Sequence, residues 1–176
     1  MSKGIILYQS KYGSAKKYAQ WLKQETGYAL METKKAELHQ LSNFDVIVLG
    51  GGVYASGIAG LHFLKKKIIR LSDKKIAVFA VGASPYDEKA IQQIREMHFQ
   101  KALRKVPLFY CRGAWDEECM TFGDRTLCRL LQRAVAKQDP QGYEPWQKAL
   151  MSAVGRKCDW TDKGYLDPLL TYLKER

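Results

Sequence analysis

The sequence predicts an α/β fold, a doubly wound parallel sheet with helices on both faces, and three observations lead there. Short apolar runs rich in β-branched residues alternate with amphipathic helical stretches, the pattern of successive βαβ units. The runs at Ile5–Tyr8, Phe44–Leu49 and Lys75–Val81 are nearly continuous in apolar character, as expected of strands covered on both faces. Each is followed by a turn rich in small residues. Right-handed crossovers bring all three turns to one edge of the sheet.

The elements follow in order. Behind the first run, Lys16–Leu22 opens an amphipathic helix in which Tyr18, Ala19, Trp21 and Leu22 share an inward side, and Gly27 marks its end. Tyr28–Thr33 has the length of an edge strand. After the buried run Phe44–Leu49 come three glycines, Gly50, Gly51 and Gly52, read as a flexible loop running to Gly57. Leu61, Phe63, Leu64, Ile68, Ile69 and Leu71 then trace a helix whose exposed side carries Lys65, Lys66 and Lys67. Lys75–Val81 is a buried strand stopped by Gly82, and a helix follows near residues 87–100. Val106–Cys111 is the fifth strand, with Pro107 near its start, where the missing amide does least harm. A last helix is expected near 163–175.

Residues 114–160 interrupt this rhythm. Helices are expected near 124–137 and 145–154, the second opened by Pro145 and stopped by Gly155. The segment has too little apolar length for a core of its own, so residues 1–176 read as one domain with a helical elaboration at 114–160.

Lys and Arg number 29 against 18 Asp and Glu, a net charge of +11. The excess is uneven: residues 1–75 hold 13 basic and 5 acidic side chains. This balance favours an anionic partner. The aromatic residues form no stacking platform and no helix-turn-helix or zinc pattern is present, so nucleic acid is not the expected one. Met1–Gly4 leads straight into a strand, without the apolar core of a secretory leader. Cys111, Cys119, Cys128 and Cys158 are widely spaced, as in a protein with reduced thiols. Both features suggest a cytoplasmic protein. His39, His62 and His98 lack metal-ligand spacing with the cysteines, and no metal site is expected. No nucleophile–base arrangement stands out, so no catalytic residue is assigned.

The chemistry is concentrated in the three turns. Ser10, Lys11, Tyr12, Gly13 and Ser14 offer hydroxyls, backbone amides and the positive end of a helix, which suits the phosphate of a nucleotide or flavin. Neither the P-loop pattern nor a dinucleotide Gly-x-Gly-x-x-Gly is present. The alternative is an ordinary strand–helix turn with Ser14 as cap. Beside it, Gly51, Gly52, Val53, Tyr54, Ala55 and Gly57 place an aromatic where it can lie against a flat ring. Gly82, Ala83, Ser84, Pro85 and Tyr86 supply small residues and a second aromatic.

Together these turns resemble those of the flavodoxin family. Ser10–Ala15 is similar to that family's phosphate loop, Ser/Thr-x-Thr-Gly-x-Thr, with Ala15 in place of the last hydroxyl residue. Gly50–Gly57 is similar to the second flavin loop and Gly82–Tyr86 to the third. The resemblance implies a five-stranded sheet in the order 2-1-3-4-5. It also implies FMN, with its phosphate on the first turn and its ring between the other two; Ala15 offers only its amide. A narrower resemblance is to the menaquinone-dependent protoporphyrinogen dehydrogenase branch, on the strength of the short basic chain and the helical segment between Gly113-Ala114 and Cys158-Asp159-Trp160. It implies electron transfer through FMN between a small substrate, such as a porphyrinogen, and a quinone. The resulting expectation is an FMN-dependent electron-transfer flavoprotein, an oxidoreductase in the wider sense. The alternative is a flavodoxin-like interaction module with weak or absent FMN binding.

One helix face remains. Arg125, Arg129, Arg133 and Lys137 recur at every fourth position, with Leu127, Leu130, Leu131 and Ala134 elsewhere. The leucines are expected to pack inward beneath a solvated basic face. An anionic membrane surface, at the inner membrane, is the alternative partner for that face. The run Asp116-Glu117-Glu118 reads as a solvated acidic turn or as an influence on substrate approach.

Overall fold

The computed structural model describes residues 2–54 and 57–175. The chain forms β1 (Gly4–Gln9), α1 (Ser14–Thr26), β2 (Ala29–Glu32), a single turn α2 (Leu38–Leu41) and β3 (Val46–Tyr54). It continues through β4 (Gly57–Ile58), α3 (Leu61–Lys67), β5 (Lys75–Gly82), α4 (Glu88–His98) and β6 (Leu108–Arg112). Then follow β7 (Ala114–Trp115), α5 (Phe122–Val135), α6 (Pro145–Ser152), β8 (Cys158–Asp159) and α7 (Asp167–Lys174). The main sheet runs β2-β1-β3-β5-β6 with every neighbouring pair parallel. With the two-residue β4 hairpin on β3 set aside, this is the expected 2-1-3-4-5 order.

The period of two along each strand explains why continuous apolar runs were required. Ile5, Leu7, Ile47, Leu49 and Val78 face one layer, packed with Leu61 and Leu64 of α3 and Ile94 of α4. Ile6, Val48, Ala77, Phe79 and Val81 face the other, packed with Tyr18 and Leu22 of α1 and Leu169 of α7. Each fully buried Leu, Ile or Phe side chain stabilises the fold by roughly 1.5–3 kcal/mol. Gly27 ends α1 in the left-handed region at φ 70°, its amide donating to the Lys23 carbonyl at 2.8 Å.

One sequence expectation fails here. Gly50, Gly51 and Gly52 are not a loop: they continue β3, paired with Tyr8 and Gln9 on one side and with Phe79, Ala80 and Val81 on the other. The physical reason is close approach. A Cβ on Gly50 would lie 2.0 Å from Cζ of the buried Phe79, and one on Gly51 would lie 2.0 Å from the Ala59 carbonyl oxygen. These glycines make room for neighbours and need no left-handed backbone.

The 114–160 segment leaves and rejoins the sheet through one ribbon, in which Ala114 pairs with Asp159 and Trp115 with Cys158. Within it, Pro145 opens α6, and a reciprocal capping box joins Glu144 and Gln147. Among the described residues no helix is long and apolar enough to cross a membrane.

Candidate functional site

The chain leaves β1 at Gln9, turns through Ser10–Gly13 and enters α1 at Ser14. Gly13 stands at the N-cap with φ 96°, a conformation that glycine adopts without a Cβ clash. Its amide donates to Ser10 Oγ at 3.1 Å, which closes the turn. Ser14 is not the cap the plain-turn alternative required: its Oγ accepts the Ala114 amide at 3.1 Å and ties the turn to β7. Both hydroxyls, accepting here, retain a proton to donate. The amides of Ser14, Ala15 and Lys16 lie in the first turn of α1, where helix geometry provides no acceptor, and that turn carries no acidic residue. The Ala15 methyl is packed at 2 % exposure, so only its amide is on offer.

A cleft of about 420 Å³ opens beside this turn, over the C-terminal ends of the strands. Ser10, Tyr12, Ser14 and Ala15 form one wall, Gly52, Val53 and Tyr54 another, and Gly82 with Ala83 the third. Tyr12 and Tyr54 meet edge to face, with centroids 6.4 Å apart. Burial pushes the Tyr54 phenol above its ordinary range, so it stays protonated at neutral pH. The structure thus brings parts of all three turns to one cleft.

Other expected residues lie elsewhere. Lys11 lines a neighbouring cavity with Gln9, Glu32 and Lys34. Gly13 shapes the turn without lining the cleft, Gly51 lies within the sheet, and Gly57 belongs to the β4 hairpin. Ser84 and Pro85 border an adjoining cavity with Trp115, Trp146 and Trp160. Tyr86 is exposed outside both spaces, edge-on to Tyr110 at 6.2 Å. The Tyr110 hydroxyl donates to the Ser84 carbonyl at 2.6 Å and fixes that loop. Ala55 lies outside the described residues.

The remaining wall comes from the 114–160 elaboration, outside the three glycine-bearing turns. Trp115, Met120, Leu127, Cys128 and Leu131 face the cleft together with Asp124. The Asp124 carboxylate accepts from the Lys11 ammonium and from the Tyr12 hydroxyl. Lys11 foremost, then Tyr12, holds its carboxyl below the usual carboxylate range. Thr121 caps α5 through the Asp124 amide at 3.3 Å. The spacing Thr121-x-x-Asp124 was legible as a helix start. Its pairing with Lys11, far away in sequence, was not.

The acidic run has a structural place. Asp116 pairs with Lys157 at 2.7 Å, which keeps its carboxyl at about 2, and Glu117 accepts from Gln132 at 2.8 Å. Both knit the elaboration to itself.

The donors of the first turn fit a phosphate, and the cleft beside them has aromatic and apolar walls that fit a planar ring. Asp124 adds a resident anion on two side chains of the same turn. An incoming phosphate must share those donors with it or displace it.

A sheet of this order with its crevice at the C-terminal edge defines a doubly wound α/β protein. Residues 5–141 match the flavodoxin domain family, and the chain belongs to it. Solved structures with a similar fold include the Trp repressor binding protein from Bacillus subtilis, at 16% identity and a TM-score of 0.47 over 63% of this chain and 85% of that one. A flavoprotein in complex with FMN from Lactobacillus acidophilus NCFM is 19% identical, with a TM-score of 0.42 over 64% and 93%. Two-electron reduced Megasphaera elsdenii flavodoxin is 18% identical, with a TM-score of 0.45 over 61% and 82%. No curated protein matches the chain.

Proposed function

We propose that the protein binds FMN at this cleft and passes electrons between a reduced donor and an acceptor. The observation that carries the reading is the convergence of the Ser10–Ser14 donors and the Tyr54-bearing wall on one crevice. When bound, FMN supplies the redox chemistry. The residues supply the rest. Ser10 and Ser14 donate from their hydroxyls, and the first amides of α1 add the favourable helix end. Tyr54 and Trp115 offer flat surfaces, while Leu127 and Leu131 of α5 exclude water above them.

The finer reading is quinone-linked oxidation of a small substrate, as in the protoporphyrinogen dehydrogenase branch. The apolar character of the α5 wall favours an apolar acceptor over a small polar one. The competing reading, an interaction module with weak FMN binding, is favoured by the Asp124 carboxylate on Lys11 and Tyr12.

FMN titration followed by flavin fluorescence separates the two. Saturable one-to-one uptake is expected, weakened at least tenfold by Ser10→Ala with Ser14→Ala, since each hydroxyl loses a hydrogen bond to a charged group. No uptake by the folded protein would leave the interaction module. Uptake indifferent to the two serines would move the phosphate away from this turn. Anaerobic reduction followed by addition of quinones, with porphyrinogens tried as donors, then tests the finer reading.

A further inference from the structure

The leucines of α5 point the wrong way for an ordinary packed helix. The helical pattern predicts them inward, but Leu130 and Leu127 are each 56 % exposed, and Phe122, at the helix start, is 86 % exposed. The inward side is held largely by polar groups. Gln132 is buried and donates to Glu117. Arg125 turns back to the carbonyls of Glu117, Glu118 and Met120. Between α5 and α6, the side chain of the buried Gln147 donates to that of Gln138. Burial of the apolar stripe is therefore not what holds α5 down. Leu127 and Leu131 border the cleft, and Phe122 and Leu130 remain unpartnered beside it.

The charge around that stripe favours one kind of partner. Arg133 and Lys137 have no carboxylate within ion-pair distance among the described residues, and Arg129 reaches Glu117 only at 3.7 Å. Several nearby acids are engaged internally, Asp124 with Lys11, Asp116 with Lys157, and Glu144 with the Trp146 indole, and among the described residues neither Glu118 nor Asp139 forms an ion pair with the basic stripe. What faces outward is leucine and phenylalanine flanked by Arg133 and Lys137, which have no ion pair among the described residues, and by the loosely paired Arg129. This is the composition of a helix that lies in the plane of a bilayer. We propose that α5 docks the protein on an anionic lipid surface, with Phe122 and Leu130 entering the headgroup boundary and Arg129, Arg133 and Lys137 meeting lipid phosphates. The protein's net charge of +11 adds long-range attraction in the same direction. Leu127 and Leu131 belong both to this face and to the cleft wall, so docking brings the cleft mouth close to the bilayer. The surface belongs to the chain itself and does not depend on whether FMN is bound.

The test is sedimentation of the full chain, without added flavin, with vesicles of phosphatidylcholine alone and of phosphatidylcholine with phosphatidylglycerol. Binding is expected only to the anionic vesicles, and it should fall at least tenfold as salt rises from low to high ionic strength. Arg129→Gln with Arg133→Gln should weaken it about 25-fold, since each basic side chain at the surface is worth about fivefold. Phe122→Gln with Leu130→Gln should weaken it at least tenfold. These four residues do not line the cleft, so FMN titration of the same variants should match the parent. Circular dichroism must show them folded; a misfolded variant is replaced by Leu130→Ser alone, for which reduced binding is again expected. No sedimentation with anionic vesicles at low salt would overturn the proposal. So would unchanged binding by both variants, or a concentration-dependent dimer, abolished by Phe122→Gln with Leu130→Gln, in place of vesicle binding.

Discussion

Gly51→Ala tests whether the three glycines of β3 serve close packing. The added methyl would stand 2.0 Å from the Ala59 carbonyl oxygen, 3.0 Å from its carbonyl carbon and 3.0 Å from Ile58 Cγ2. The nearest of these atoms is backbone, so no rotamer change relieves the clash. Ala59 must move, and its amide then loses the 2.9 Å hydrogen bond to the Gly52 carbonyl. Overpacking costs about 1–3 kcal/mol and the hydrogen bond about 0.5–1.5 kcal/mol. The reduced freedom of the unfolded chain returns about 0.4–1 kcal/mol. The net loss is about 0.5–4 kcal/mol, a Tm lower by roughly 1–16 °C for a chain of this length. Gly123→Ala is the control, because a Cβ there meets nothing within 4 Å and the residue lies inside α5. It should raise Tm by roughly 1–4 °C. Calorimetry of the two variants beside the parent reads both effects. A Gly51→Ala protein melting within about 1 °C of the parent would refute the close-packing argument and restore the loop reading.

Three further outcomes follow from the site and its surroundings. Asp124→Asn removes a negative charge from Lys11 and Tyr12 and should tighten FMN binding about three- to tenfold at low salt, less at high salt; weaker binding in the titration would mean that Asp124 positions Lys11 for the phosphate. Asp159 is held at about 2, first by the Thr161 hydroxyl and then by Lys17. Its contribution to stability is fully present above the unfolded carboxyl value of about 3.9 and is lost as pH falls toward the folded one. The decline in Tm between about pH 4 and 2 should therefore be shallower in Asp159→Asn, and an unchanged slope in pH-dependent calorimetry would count against the Thr161 and Lys17 contacts. Burial pushes the Cys111 thiol up to about 12; mass mapping after alkylation of the native protein at pH 8 should find Cys111 unmodified and the exposed Cys119 labelled.

Strand order and layers were legible because they depend on local pattern. A continuous apolar run such as Ile5–Leu7 must be covered on both faces, and the right-handed crossover leaves few ways to do it. The conformation of the first turn was legible for the same reason: Ser10, Gly13 and Ser14 are neighbours in sequence at a strand–helix junction. The glycines of β3 were misread because Gly supports two opposite readings. It gives freedom in a loop and vacancy in a strand, and only Phe79 and Ala59, neighbours in space, decide between them.

The far wall of the site was beyond local reading altogether. Helical periodicity in α5 shows that leucines and arginines occupy different faces, but it carries no sign: it does not say which face is covered. That sign is set by Glu117, which accepts from Gln132, and by the carbonyls of Glu117, Glu118 and Met120, which hold Arg125. Once these polar bonds pin one side of the helix, Leu130 must face outward while Leu127 and Leu131 turn to the cleft, and Asp124 is carried to Lys11 and Tyr12 by the same rotation. The carboxylate on the Ser10–Ser14 turn and the apolar face beside the cleft are thus two results of one packing choice. A variant that frees the inner side, such as Gln132→Leu, should disturb both the flavin affinity and the vesicle binding of the protein, whereas Leu130→Gln should touch only the second.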